Sequence, residues 1–206
     1  MTDEQAAPAE IVTPLLAPVL SLILCAGVAA SLLAAPGAEG LLGAFLAALM
    51  LAIAATDAAS YRIPNELTAA AFALAVLRAW AIGPEAGAQA MLWTALRALA
   101  VALPLLVLML LYRRWRGRDG LGLGDIKLAA VAGAWLDIVT VAVVIELAAL
   151  AAISAYVLNA ALRRKPFSAT AFLPFGLFLA PAIWLGWLGE AVAASGIASW
   201  LSFWLD

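Results

Sequence analysis

The chain has 206 residues, 67% of them hydrophobic and 12% charged, with a mean hydropathy of +1.08. Soluble domains run nearer half apolar and a quarter charged; one buried core cannot absorb such an excess, so the composition points to a lipid environment. With no histidine and a single cysteine, a histidine-based triad, a histidine-ligated metal and an intrachain disulfide are excluded, while the net charge of −2 matters less than where the basic residues fall.

In chain order, residues Met1 to Glu10 are polar and acidic. A cleavable signal peptide opens on basic residues, so the first apolar run is expected to stay as a transmembrane helix. Apolar runs predict helices at 11–35, 39–57, 66–83, 88–112, 121–137, 138–162 and 170–190, and a shorter run at 191–205 is either an eighth span or an interfacial helix. A span takes about 20 apolar residues. The expectation is therefore an all-α, polytopic bundle of six to eight transmembrane helices, forming a single membrane domain over 1–206. Cys25, inside the first run, reads as a small apolar filler. The 121–137 and 138–162 runs have no polar loop between them. They are split because a run of 42 residues is too long for one span, and Trp135 with Asp137 suits a turn at the interface.

The basic residues orient the bundle. Arg62 lies between the second and third runs, Arg113, Arg114, Arg116 and Arg118 follow the fourth, and Arg163, Arg164 and Lys165 follow the sixth. The intervening linkers carry no Lys or Arg. Cytoplasmic loops hold the excess of basic residues, so the linkers at 58–65, 113–120 and 163–169 face the cytoplasm, and so does the N-terminus.

This topology puts two aspartates at the same cytoplasmic depth. Asp57 closes the second run and Asp125 opens the fifth. Two carboxylates held together do not both ionise cheaply, so one stays protonated and the other charged. Such a pair activates water: the charged member takes a proton while the neutral one donates to the carbonyl. The plainer reading of Asp125 is a helix cap, since Gly-Asp before an apolar run is a common start; position 128 is Leu, so no capping box forms. Asp57 is harder to explain structurally, because a helix C-terminus disfavours an anion by about 0.3–1 kcal/mol. Gly122 and Gly124 either admit a substrate strand close to the backbone or simply turn the chain out of the basic loop. Pro64 and Asn65 fit helix-start chemistry and shape the site without a catalytic role. Lys127 steers a substrate or, more simply, snorkels to the interface.

The segments Asp57, Tyr61, Ile63-Pro64-Asn65 and Gly122-x-Gly124-Asp125 with Lys127 resemble the type IV prepilin peptidases, the GxGD class of intramembrane aspartic proteases. Leu173-Pro174-Phe175-Gly176-Leu177-Phe178-Leu179-Ala180 resembles a C-terminal motif of that family. The resemblance runs from about residue 40 to residue 190. It implies cleavage of the leader of type IV prepilins or pseudopilins, after a glycine and just before an apolar stretch, at the cytoplasmic face of the inner membrane. It also implies Asp57 and Asp125 as the catalytic pair, with Gly122, Gly124, Lys127, Tyr61, Pro64 and Asn65 shaping the site or binding substrate. Larger members carry paired Cys-x-x-Cys motifs and methylate the new N-terminus. One cysteine cannot make that zinc site, so the chain resembles the short form serving Flp/Tad pili, with no metal and no organic cofactor expected. Its partners are prepilin leaders and the bilayer, with no nucleic acid.

Arg97 and Glu146 lie inside spans at matching depths of roughly 12–14 Å. They are expected to pair, because an unpaired charge there is costly. Arg78, near the outer end of its span, is expected to snorkel. Two other functions fit boundary carboxylates. A small transporter or channel uses them as relays, though it would show inverted repeats and broken helices near the midplane. A non-catalytic pilus or secretion assembly factor uses them only as caps.

Overall fold

The computed structural model describes residues 13–82, 87–117, 120–164 and 173–196. Their regular structure is seven helices: α1 (Thr13–Ala34), α2 (Ala38–Ser60), α3 (Asn65–Ala81), α4 (Ala88–Arg116), α5 (Leu123–Trp135), α6 (Ile138–Leu162) and α7 (Phe175–Ala194). In hydrocarbon every backbone N–H and C=O needs a partner within the chain, which a helix supplies by itself. Five of the seven, α1, α2, α4, α6 and α7, are long and apolar enough to cross a membrane. The protein is thus a polytopic helical membrane bundle. The basic residue Lys165 and most of the 191–205 run lie outside the described residues.

The helix ends follow local chemistry. Pro64, extended at φ −63° and ψ 135°, precedes α3, where its missing N–H costs nothing. α4 closes on Gly117 in the left-handed region at φ 67°, with Arg113, Arg114 and Arg116 in its last turn. Cations there complement the helix dipole. Between α5 and α6 the chain turns at Leu136 and Asp137, as the interface residues predict.

α5 is the buried centre. Ile126, Leu128, Ala129 and every residue from Val131 to Trp135 are buried, and the helix packs on α3, α4, α6 and α7. Its 13 residues rise only about 20 Å, short of the roughly 30 Å hydrocarbon layer. It is therefore cradled by its neighbours and does not cross alone as the 121–137 run predicts. Lipid tails are as apolar as leucine, so association rests on close packing of small residues. At Gly133 a methyl group would stand 2.8 Å from the Arg97 carbonyl oxygen and 3.1 Å from Ala98 Cα. The outward faces of the surrounding helices carry exposed apolar side chains, among them Leu33, Phe45, Leu108, Val139 and Leu162.

At the end away from the two aspartates, charged groups tie the helices together. Arg78 Nε meets Glu39 Oε1 at 2.7 Å, Arg78 Nη1 donates to the Trp135 carbonyl at 3.3 Å, and the guanidinium lies 5.5 Å from the Trp135 ring centre. Arg78 is therefore paired and does not snorkel free as the sequence predicts. Trp187 Nε1 donates to the same Glu39 oxygen at 3.2 Å. The expected pairing of Arg97 with Glu146 also fails. Arg97 Nη1 meets Asp137 Oδ1 at 3.4 Å, and Glu146 is exposed on α6. Equal depth matched the two residues, but depth carries no information on which way a helix face turns.

Candidate active site

The site is assembled by three helix ends. Asp57 sits in the last turn of α2 and is 4% exposed. Its carbonyl accepts the Tyr61 N–H at 2.9 Å, and Tyr61 closes the helix in the left-handed region at φ 54° and ψ 33°. A bulky side chain rarely adopts that conformation, and it turns the chain sharply into Arg62, Ile63 and Pro64. The first turn of α7 comes to Asp57 from the other side. The Leu177 N–H donates to Asp57 Oδ2 at 2.9 Å. This N–H is one of the four at a helix start that have no partner within the helix, so the carboxylate and the helix end satisfy each other. Gly176 makes the approach possible, since a methyl there would stand 2.9 Å from Asp57 Oδ2 and 2.7 Å from Ile63 Cδ1.

Asp125 is the third residue of α5 and is half-buried. The cap position belongs to Gly122, extended at φ −76° and ψ 141° with no side-chain cap bond. Asp125 is thus not the N-cap. Burial first, and then the charge of Asp57, push its carboxyl up to about 6, against the opposing pull of a backbone hydrogen bond from Gly122. Asp57 and Asp125, 68 positions apart in sequence, therefore act on one another electrostatically.

The other sequence candidates fall around this pair. A methyl at Gly122 would stand 3.0 Å from Asp125 Oδ2, and one at Gly124 3.2 Å from Ile63 Cβ. Lys127 Nζ donates to Asn65 Oδ1 at 2.7 Å. The lysine, fifth residue of α5, therefore links that helix to the first residue of α3, where the sequence favoured snorkelling. Tyr61 is exposed beside the site, and Pro64 offers its carbonyl to Thr68. Sequence reasoning missed Ile63, Gly176 and Leu177 as contacts of the pair. The Pro-Phe-Gly segment was visible, but its partner Asp57 lies 120 residues earlier, and what binds is a backbone N–H that every residue type has. Among the described residues no three His, Cys, Asp or Glu side chains gather as a cation site.

Residues 44–158, more than half of the chain and including both aspartates, match the type IV leader peptidase family. The chain belongs to that family. No curated protein and no solved structure matches it. The matched region of this leader peptidase ends before α7, so the helix that binds Asp57 is added by the structure. With Asp125 pushed up to about 6 partly by the charge of Asp57, the two carboxyl groups titrate as a coupled pair.

Proposed function

We propose that this leader peptidase is an aspartic endopeptidase that removes the leader of type IV prepilins or pseudopilins at the cytoplasmic face of the inner membrane. The observation that supports the reading is the electrostatic influence of Asp57 on Asp125, with Asp57 held by the Leu177 N–H. Asp57, its Oδ2 held in place by the Leu177 N–H, is the base. Asp125 is the acid, because its raised titration keeps a proton available. Asp57 takes a proton from water as the water oxygen attacks the scissile carbonyl carbon, and Asp125 gives its proton to the carbonyl oxygen. Collapse of the tetrahedral intermediate breaks the C–N bond, the proton on Asp57 passes to the leaving amine, and one hydroxyl of the intermediate returns its proton to Asp125 as the new carboxyl group forms. Gly122, Gly124 and Tyr61 border the space for the substrate strand, while Lys127, Asn65 and Pro64 hold α5 against α3. The described helices act together as one peptidase unit.

The test is co-expression with a tagged type IV prepilin, followed by mass measurement of the product's N-terminus. A single cut after a glycine, just before the apolar stretch, supports the reading. Prepilin that stays full length while the peptidase is present in the membrane contradicts it, and then the transporter and assembly-factor readings take its place.

A further inference from the structure

Ile63 occupies a place that neither the sequence nor the reaction assigns. It lies in the short connection between α2 and α3, just before Pro64, which keeps it out of the helical region. It is half-buried and packs against the core cluster. Its side chain faces glycines on two different helices. A methyl on Gly124 would meet Ile63 Cβ at 3.2 Å, Cδ1 at 3.4 Å and Cγ1 at 3.5 Å, and a methyl on Gly176 would meet Ile63 Cδ1 at 2.7 Å. Gly124 immediately precedes Asp125, and Gly176 lies against Asp57. One apolar side chain thus fills the space between the two helix starts that bear on the aspartates.

We propose that Ile63 is a positioning residue, a spacer held between Gly124 of α5 and Gly176 of α7 that sets the separation of Asp57 and Asp125. The two glycines are the sockets of this spacer, and the branched side chain is stiff at its first torsion, so it transmits a fixed distance. The spacer rests on the reading of Asp57 and Asp125 as an interacting pair. It predicts that the glycines differ. The obstacle to a methyl on Gly124 is Ile63 itself. The obstacle at Gly176 is also the Asp57 carboxylate, 2.9 Å from the methyl position.

The experiment uses the full chain in lipid nanodiscs with a prepilin peptide. Ile63→Val should keep activity, and Ile63→Ala should lower kcat about tenfold with KM unchanged, since misplacing reacting groups by about 1 Å costs up to about 100-fold. Gly124→Ala should be nearly inactive and should regain at least about tenfold when combined with Ile63→Ala, whereas Gly176→Ala should not be rescued by the same change. Equal behaviour of the two glycine variants, or no rescue at either, overturns the spacer. A second readout needs no substrate: infrared titration of the protonated carboxyl band, assigned by its loss in Asp125→Asn. Ile63→Ala should shift its midpoint, because separation sets the coupling, and an unshifted midpoint overturns the proposal. If the wild type titrates as described but cuts no prepilin, the peptidase reading fails while the spacer is still decided by the infrared result.

Discussion

At the residue scale, the asymmetry of the two aspartates follows from what surrounds each. Asp57 is buried and accepts a first-turn N–H of α7. Asp125 is half-buried and feels the charge of Asp57. A carboxylic acid that acts as a proton donor works only below its titration midpoint. With Asp125 pushed up to about 6, kcat/KM measured from pH 5 to pH 9 should bend downward near pH 6 and then fall roughly tenfold per pH unit. A profile flat to pH 8 contradicts Asp125 as the acid. The sequence made both aspartates legible because each stands at the end of an apolar run, where a charge needs a reason. It did not distinguish their surroundings, because the group that contacts Asp57 is the backbone N–H of Leu177, 120 residues later. The Arg97 and Glu146 mismatch has a similar origin. Position along a helix gives depth, but the partner of Arg97 lies in the α5–α6 turn.

At the element scale, α5 explains how a short helix brings a carboxylate to a lipid boundary. Its alanines and Gly133 let α4 approach closely, and its last residue, Trp135, donates its indole N–H to the Ala71 carbonyl of α3 at 3.0 Å. The helix is thus fixed at its outer end, and Asp125 projects from the other. Replacing Gly133 with Ala should push Arg97 and Ala98 of α4 away. The expected cost is about 1–3 kcal/mol of overpacking, read as a lower melting temperature in detergent with the cleavage pH profile unchanged. Unaltered melting would show that the α4–α5 contact is looser than these distances require. The helix pattern was readable from hydropathy, and the α5–α6 break from the excess length of the joint run together with Trp135 and Asp137. The inability of α5 to cross by itself was not, because its apolar run includes Leu121, Gly122 and Leu136, which the chain spends on entry and exit turns.

At the scale of the whole molecule, the fold divides its polar groups between two ends. One end gathers the aspartates, Lys127 and the arginines that close α4. The other gathers Glu39, Arg78, Asp137 and Glu190, where the Asp137 N–H donates to Glu190 Oε1 at 2.9 Å. The proposed function requires the first end to face the cytoplasm, as the excess of basic residues there predicts. Single cysteines introduced at Ser60 and at Pro36, each with Cys25→Ser, test this in intact cells with a membrane-impermeant maleimide. The position-36 cysteine should label and the position-60 cysteine should label only after permeabilisation; the reverse pattern would invert the topology and place the pair on the wrong side for a cytoplasmic leader.

The most direct test of the central claim is cleavage of a reconstituted prepilin by purified wild type, Asp57→Asn and Asp125→Asn, each with its melting temperature measured alongside. The account predicts that both variants stay folded and lose cleavage by at least about 1,000-fold, since each removes one half of the acid–base pair. Cleavage at near wild-type rates by either folded variant would contradict the dyad.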